Sequence, residues 1–452
     1  MSKLSEQMLR SVLEKLTCWG SLTECTAPVN PKFEMGAVLS YYKSEKPILF
    51  RNVTGSDVPV IGGLYGNRQL MYRLLHTEAE ARFDRILGAI ARPGKPVYTA
   101  SAPVQEHVIT RGIDLPAMFP IPISNEKDSG PYLTSGMLAY RDPDSGHTYI
   151  AVRRFQVNGG NSINVLVSPA SPYLQEVLQK CGEAGKDLPC AVILGYDASL
   201  LLTSQISSSR YHLDKYELDS ALRGQPLELV RCKSVDLDVP AQAEIILEGV
   251  IHPHRVGAEG PFAELMGYYS AEEDSPLIEL TAVTHRDRPI FQHCFPGREE
   301  HLAYGMIKEA EIYAALRPSV DVRDVNLTAG GGHRLHAVVS LHKRSEGDGK
   351  SAVLAVLGAY KDVKHVVVVD DDVDVYDPED VEGAIASRFQ AGRDLVVVSG
   401  ALGSPLEPSY HERGMSDKLG LDATKPLGNR PEYERAEIPG FDRSFDIHRY
   451  LP

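Results

Sequence analysis

The sequence contains few of the features that mark secreted, membrane-bound or nucleic-acid-binding proteins. Its six cysteines form no CxxC pair and no Cys/His group with zinc spacing, which argues against a disulfide framework or a structural zinc site. No apolar run approaches the ~18 residues that a membrane span requires, and residues 1–16 have an amphipathic helical pattern, which is not that of a signal peptide. A formal net charge of −14 disfavours contact with phosphate backbones. We therefore expect a cytoplasmic protein that binds neither membranes nor nucleic acids.

What the sequence does contain is typical of a globular protein. Hydrophobic residues make up 43% of the 452 positions and charged residues 24%, a composition far from that of disordered chains. A single core rarely grows beyond roughly 250–300 residues, so this length predicts two or three domains. Helical patterns at 5–16 and 68–91 flank a strand pattern at 47–53. The proline- and glycine-rich stretch 92–135 then leads out of this first α/β region.

The rest of the chain has two different patterns. β-branched and alternating segments follow one another over about 135–290, interrupted by one helical pattern at 171–185, which predicts a barrel or sandwich. Helix and strand patterns alternate in the last third, as in a parallel α/β layer. We thus predict an α/β (α+β) protein with three regions. Their bounds are 1–125, 126–305 and 306–452.

Two polar stretches in the last third have more than one interpretation. The acidic run from Asp370 to Asp380 has the clustered oxygens that a divalent cation prefers. The more ordinary interpretation is a strand end and turn, with Asp377 and Pro378 opening the next helix. The glycines 330–332 could let the backbone approach a ligand, or could simply connect a strand to a helix.

Two carboxylates and an arginine pair are the candidates for acid–base chemistry. Arg153 and Arg154 stand in an apolar strand pattern, where alternation directs one side chain inward. A buried guanidinium requires an anionic partner, either a structural carboxylate or a ligand. Glu259 and Glu264 flank Gly260-Pro261, which cannot be helical. Two carboxylates beside one arginine can take separate acid and base roles, but spacing alone leaves these glutamates as turn residues.

Several segments together resemble the UbiD family of decarboxylases. They are AVRRFQV, DLDVPAQAEIILEG, AEGPFAELMGYYS, VVVVDDDVDVYDPEDV and GLDATKP, and the similarity extends in order from about residue 45 to 426. The resemblance implies an N-terminal α/β region, a central flavin-reductase-like split β-barrel that holds prenylated FMN, and a C-terminal α/β oligomerisation domain. It also implies a reversible, non-oxidative carboxy-lyase that acts on an aromatic, heteroaromatic or α,β-unsaturated acid.

The family's catalytic Arg-Glu-Glu triad falls on Arg154, Glu259 and Glu264. Arg154 matches rather than Arg153, because it stands two residues before Gln156 in the family's R-x-Q-V pattern. The resemblance implies that Glu264 protonates the carbon that loses CO2. Arg154 would orient Glu264 and receive the substrate carboxylate, and Glu259 would complete the charge network.

The sequence departs from the family where the cofactor phosphate is held. Relatives use a divalent metal bound by Asn, His and Glu, and these positions are occupied here by Tyr149, Ser171 and Lys215, with Asp214 as a competing match for the third. Such a set makes a poor Mn²⁺ or Mg²⁺ site. A lysine ammonium can neutralise phosphate directly, so we expect a metal-free site. The predicted cofactor contacts are Tyr149, Ile150, Ala151, Val152, Arg154, Ser171, Lys215 and Lys418, with Arg210 as a further candidate.

The substrate and the partners are predicted from shorter stretches. His293, Arg298 and His333 are candidates for the substrate pocket, in segments that resemble the branch acting on furan, pyrrole or indole carboxylates. The expected partners are a small carboxylic acid, CO2, a flavin prenyltransferase that supplies the cofactor, and further copies of the chain in a homodimer or dimer-based hexamer. The alternative is a cofactor-free subunit or scaffold on the same fold, with a phosphate site that has decayed.

Overall fold

The structure is a computed structural model that describes residues 8–167, 172–410, 412, 414–428, 430–436, 438–439, 445–446 and 449–450. The helices are α1 Leu9–Cys18, α2 Glu34–Tyr41, α3 Arg68–Leu74, α4 Arg82–Ala91, α5 Leu115–Met118, α6 Pro172–Glu183, α7 Ala198–Gln205, α8 Ser208–Tyr211, α9 Lys215–Arg223, α10 Glu299–Leu316, α11 Asp348–Ala359, α12 Pro378–Arg388 and α13 Ala391–Asp394. The strands are β1 Thr23–Cys25, β2 Ile48–Phe50, β3 Val60–Gly62, β4 Val97–Thr99, β5 His107–Ile109, β6 Tyr132–Leu133, β7 Met137–Arg141, β8 Thr148–Val152, β9 Phe155–Gly159, β10 Ser162–Val165, β11 Leu188–Leu194, β12 Glu228–Arg231, β13 Asp238–Pro240, β14 Ile245–Glu259, β15 Glu273–His285, β16 Phe291–Gln292, β17 Asp321–Leu327, β18 His336–His342, β19 His365–Asp370, β20 Leu395–Leu402 and β21 Met415–Asp422.

The N-terminal region forms a small sheet in the order β1-β2-β3-β16, whose last strand comes from much later in the chain. Conversely, β5 joins the central sheet by pairing with β15. Each of the two sheets therefore contains a strand from the other side of residue 125, where we predicted a domain boundary. The predicted domain bounds remain a prediction. The single helix predicted over 68–91 is wrong: it is two helices, α3 and α4. His76 lies between them with a φ of 51°, a left-handed conformation that stops a right-handed helix.

The strand-rich centre is confirmed as a nine-stranded antiparallel sheet in the order β6-β9-β10-β15-β14-β11-β7-β8, with β5 beside β15. Its longest pair is β14 and β15, which runs from Ile245 opposite His285 to Glu259 opposite Glu273. Apolar side chains from β7, β9, β10, β11, β14 and β15 pack into a buried core on this sheet. A three-stranded sheet, β13-β12-β4, completes the middle of the chain.

The C-terminal sheet has the order β17-β18-β19-β21-β20. Its three inner strands are parallel, as predicted, while β17 and β20 are antiparallel edges. Asp377 caps α12 by accepting from the Glu379 N–H at 2.9 Å, which confirms the ordinary interpretation of the acidic run. In the same run, Asp370 lies 2.8 Å from Arg388, so its charge is already paired with a guanidinium. The mixed α/β class is thus confirmed.

The helices of the described ranges are too short or too polar to cross a lipid bilayer.

Candidate active site

Arg154 lies where the chain passes from β8 to β9, not inside one continuous strand as the sequence pattern predicted. β8 pairs with β7, whereas β9 pairs with β6 and β10, so Arg153 and Arg154 form a break between two strands. The expectation that only one of these arginines points inward is therefore wrong. Both line the same cavity.

The two glutamates lie on either side of a tight loop that follows β14. Glu259 is the last residue of β14, and Glu264 follows after Gly260-Pro261. Gly260 has a φ of 96°, and a Cβ there would lie 2.8 Å from the Ala271 carbonyl oxygen, so only glycine fits. The loop closes because the Glu264 N–H donates to the Tyr268 carbonyl at 2.8 Å.

The guanidinium of Arg154 joins both carboxylates. Its Nη2 donates to Glu259 Oε2 at 2.8 Å and to Ser270 Oγ at 3.2 Å, and its Nη1 donates to Glu264 Oε1. Burial alone would lower the pKa of Arg154, but Glu264 and Glu259 outweigh that effect and raise its pKa above the usual value. Glu259 is fully buried, whereas the Glu264 side chain keeps 22% of its surface exposed.

A second layer of hydrogen bonds fixes this arrangement. Gln156 Oε1 accepts from the Gly260 N–H at 3.0 Å and from the Tyr132 hydroxyl at 3.0 Å. The ring of Phe262 lies under Arg154, 4.8 Å from the guanidinium carbon. Tyr132 was not among the predicted site residues, because its position opposite Gln156 depends on the pairing of β6 with β9. That pairing is not visible in local sequence.

The arginine and Glu264 open onto a cavity of about 620 Å³. This volume falls within the range of small-molecule sites. Its wall includes Arg154, Phe262, Glu264, Leu265, Pro296, Gly297, Glu300, His301 and Arg334. It also includes Tyr149, Ala151, Val152, Arg153, residues 204–210, Tyr304, Lys308, Glu311 and residues 358–361.

Basic side chains outnumber acidic ones in part of this wall. Glu311 is paired with both Lys308 at 2.9 Å and Arg210 at 3.0 Å. Arg153 also lines the cavity, and its Nη2 donates to the Tyr149 hydroxyl at 3.2 Å. Two cations, Arg210 and Lys308, thus share the Glu311 carboxylate, and with Arg153 beside them this part of the wall suits an anion. We call Arg153, Arg210, Lys308 and Glu311 the basic wall.

Lys215 does not reach the cavity. Its Nζ is buried and donates to the Thr203 carbonyl at 3.0 Å and to the Ile206 carbonyl. These bonds fix the backbone of the segment from Thr203 to Ile206, which forms part of the wall. Burial, together with the nearby charges of Lys308 and Arg153, lowers the pKa of Lys215 to about 7. The sequence placed a lysine near the phosphate position but could not show which way its ammonium points.

The other predicted cofactor residues divide into three groups. Tyr149, Ala151 and Val152 line the cavity, while Ile150 is buried beside it in β8. Lys418 does not line the cavity, but it lies directly behind the wall, where it donates to the carbonyl of the lining residue Lys361 at 2.6 Å. Ser171 falls outside the described residues.

Asp214, the competing match for the third metal position, is occupied as a helix cap. Its carboxylate accepts from the N–H groups of Tyr216 and Glu217 at the start of α9, and from the Thr148 N–H at 2.6 Å. Across the described residues, His, Cys, Asp and Glu side chains nowhere gather in threes in a way that suits a metal ion.

The three predicted substrate-pocket residues lie outside the cavity wall. His293 is buried between Thr134 and Ser124, and burial lowers its pKa to about 3. Arg298 is exposed just before α10, and His333 has its Nδ1 2.9 Å from the Leu327 carbonyl oxygen. Glu300 and His301, close to Arg298 in sequence, do line the cavity, as does Arg334, the residue after His333. The backbone at the start of α10 and in the loop before β18 thus directs other side chains of these segments toward the cavity.

A flavin phosphate ester would fit these surroundings. Outside the basic wall, several buried polar atoms of residues that line the cavity have no hydrogen-bond partner in the described structure, among them Arg154 Nε, Glu300 Oε2, His301 Nδ1 and Arg334 Nε. Buried polar groups are rarely left unpaired, so these atoms indicate a place for a polar ligand. The cavity thus combines a carboxylate–guanidinium site with a phosphate-compatible surface.

The family models identify the chain as a carboxy-lyase and assign its family. Models for the N-terminal, Rift-related and C-terminal domains of 3-octaprenyl-4-hydroxybenzoate carboxy-lyase match residues 13–90, 95–299 and 301–423. The chain belongs to the UbiD family of decarboxylases. It is 37% identical over 409 residues to anhydromevalonate phosphate decarboxylase of Methanothermobacter thermautotrophicus, covering 90% of this chain and 95% of that protein. The Methanosarcina mazei protein of the same name is 36% identical, covering 95% and 99%.

Solved structures give the same family. The UbiD-class enzyme HmfF from Pelotomaculum thermopropionicum in complex with FMN superposes with a TM-score of 0.94 at 40% identity, covering 98% of this chain and all of that one. An evolved dimeric form of HmfF in complex with prFMN superposes at 0.90 with 38% identity, again covering 98% and 100%. The resemblance found in the sequence is therefore confirmed.

Proposed function

We propose that the protein is a reversible, non-oxidative decarboxylase of a small unsaturated, aromatic or heteroaromatic carboxylic acid, and that it uses prenylated FMN. The observation that carries this proposal is the joining of Glu259 and Glu264 through Arg154 at the wall of one cavity. Other buried guanidinium–carboxylate pairs in the described part of the chain, such as Arg68–Glu309, are not joined to a second, partly exposed carboxylate that lines the cavity, as Glu264 is.

Each member of the triad has a role that follows from its position. Glu264 is partly exposed to the cavity, so it can deliver a proton to the carbon that loses CO2. Arg154 orients Glu264 and offers its remaining N–H groups to the substrate carboxylate. Glu259 holds Arg154 from behind. Prenylated FMN, when bound, supplies the electron sink for the departing CO2.

We further propose that the cofactor phosphate is held without a divalent metal by the basic wall. This replaces the predicted direct contact with Lys215 and Lys418, whose ammonium groups donate to backbone carbonyls. Lys215 then acts indirectly, by fixing the segment from Thr203 to Ile206. Hydroxyls of residues 207–209 are available for further hydrogen bonds to phosphate.

Arg210→Met tests the phosphate site without flavin chemistry. Arg210 is half exposed and its loss leaves Glu311 paired with Lys308. A charge-assisted hydrogen bond contributes about 1.5–3 kcal/mol, so FMN should bind roughly 10- to 100-fold more weakly. Riboflavin, which has no phosphate, should bind with unchanged affinity. Both can be measured by quenching of flavin fluorescence.

Lys361→Met is the matched control, because Lys361 also lines the cavity but pairs with Asp362 instead of Glu311. It should leave FMN affinity unchanged. Elemental analysis of active enzyme should find no stoichiometric divalent metal, and chelators should not release the cofactor. Equal losses of FMN and riboflavin affinity, or a stoichiometric metal, would contradict the proposed phosphate site.

The activity itself is tested on protein co-produced with a flavin prenyltransferase, the expected supplier of the cofactor. Deuterium exchange is measured on the decarboxylated product, at the carbon from which CO2 was lost. It detects the reaction whichever direction equilibrium favours. The acid panel should include anhydromevalonate phosphate together with furan, pyrrole, indole and phenolic acids. The first is included because two relatives at 36–37% identity are anhydromevalonate phosphate decarboxylases.

Flavin absorbance together with deuterium exchange supports the proposal. Protein that never acquires flavin would instead support the scaffold, and we expect a homodimer or dimer-based hexamer in either case.

A further inference from the structure

A second carboxyl group shares the cavity with Glu264 but has a different environment. Glu300 lies in the first turn of α10 and lines the same cavity as Arg154 and Glu264. Its Oε1 accepts from the Gly297 N–H at 3.1 Å, and its Oε2 is buried without a hydrogen-bond partner. The side chain keeps 20% of its surface exposed. Backbone N–H groups of Gly297, Arg298 and Glu300 itself favour the ionised carboxyl, but burial outweighs them, and one oxygen stays free to gain and lose a proton.

The charges around Glu300 also favour the protonated form. Glu264, in the loop after β14, acts on Glu300 as a like charge. Glu299 at the start of α10 and Cys294 just before this helix are also electrostatic neighbours of Glu300. His301 Nε2 is 3.7 Å away, but burial and nearby Arg334 lower the pKa of His301 well below its usual value, so this ring is neutral. Burial raises the pKa of Glu300 to about 7, with a further contribution from Glu264.

The three acids of the cavity wall therefore differ in their cationic partners. Glu264 is held by Arg154, and Glu311 is held by Lys308 and Arg210. Glu300 has no Lys or Arg within ion-pair distance in the described residues. When two carboxyls are placed in such unlike environments, one keeps its proton while the other is ionised.

We propose, on the basis of the proposed function, that Glu300 is a proton-relay residue, which acts through Glu264 and supplies a proton to it in each turnover. Decarboxylation of an acid anion consumes one proton. Glu300 transfers its proton across the shared cavity to the Glu264 carboxylate, the C–CO2 bond breaks, CO2 leaves, and the O–H proton now on Glu264 forms the new C–H bond. Glu264 is then again a carboxylate beside Arg154, and Glu300 is reprotonated from solvent.

The first test is the pH dependence of Glu300→Gln. In wild-type enzyme, kcat should fall as pH rises through about 7, because Glu300 ionises there and no longer supplies a proton. Glu300→Gln should lower kcat by about 10-fold or more and lose this inflection. Glu300→Asp keeps an acid at the same position and should recover part of both. A structural role would change rate or stability but leave the inflection in place.

The second test needs neither cofactor nor turnover. Infrared difference spectra of the unloaded protein between acidic and basic pH should contain a protonated-carboxyl band that titrates near 7 and is absent from Glu300→Gln. The band of Glu299, whose pKa burial raises to about 8, should remain as an internal reference. Persistence of the band near 7, or an unchanged kcat–pH profile in Glu300→Gln, would overturn the relay. Wild-type protein that binds prenylated FMN but exchanges no acid would instead contradict the proposed function.

Discussion

Glu264→Gln is expected to lower kcat for decarboxylation by ~10²–10⁴-fold, the range that a positioned general acid contributes. Glutamine has nearly the same shape and can still accept from Arg154 Nη1, so the site should keep its geometry. What it cannot do is release a proton. Because only the proton-transfer step is affected, FMN affinity and the unfolding midpoint should remain close to those of the wild-type protein.

Deuterium exchange on the decarboxylated product gives the decisive measurement for Glu264. Exchange requires the same proton transfer in reverse, so Glu264→Gln should lose exchange and decarboxylation together. Glu264→Asp keeps the acid but shortens its reach, and should retain a measurable fraction of both. Full exchange in Glu264→Gln would mean that another group protonates the carbon, and Glu300 would then be the first residue to test.

The contacts among the triad residues could be inferred from sequence only by way of the family resemblance. Arg154 is 105 residues from Glu259 and 110 from Glu264. No local pattern reveals pairing across such a distance, because it depends on how β9, β14 and β15 are joined in one sheet. The strand patterns themselves were visible because alternating apolar and polar residues, together with β-branched residues, are typical of a half-buried sheet.

The direction of side chains is what the sequence could not predict. His293 and Arg298 were chosen from a motif that also contains Glu300 and His301, and the start of α10 decides which of these lines the cavity. Lys215 was predicted to contact the cofactor phosphate, whereas its ammonium donates to backbone carbonyls within the protein. Direction depends on the local backbone and on burial, and neither can be read from a list of matched positions.

Arg154→Ala is expected to have the largest effect on stability. Glu259 is fully buried, and Arg154 is its salt-bridge partner in the described structure, at 2.8 Å. Removing one partner of a buried ion pair typically costs ~3–5 kcal/mol, because the remaining charge is left without compensation. The free energy of unfolding should fall by this amount, measured as a shift in the urea midpoint with an unchanged slope. Decarboxylation should be lost as well.

The companion variants separate the cost of the stranded charge from the loss of the acid–base site. Arg154→Ala combined with Glu259→Gln removes both charges, so the double variant should regain a substantial part of the stability but none of the activity. Arg154→Lys keeps a positive charge near Glu259 and should remain closer to wild type in stability. Its ammonium lacks the planar fork that contacts Glu259 and Glu264 together, so kcat should still fall. If Arg154→Ala alone were as stable as the wild-type protein, Glu259 would have to be neutral or hydrated, and its assignment as the group that holds Arg154 would be wrong.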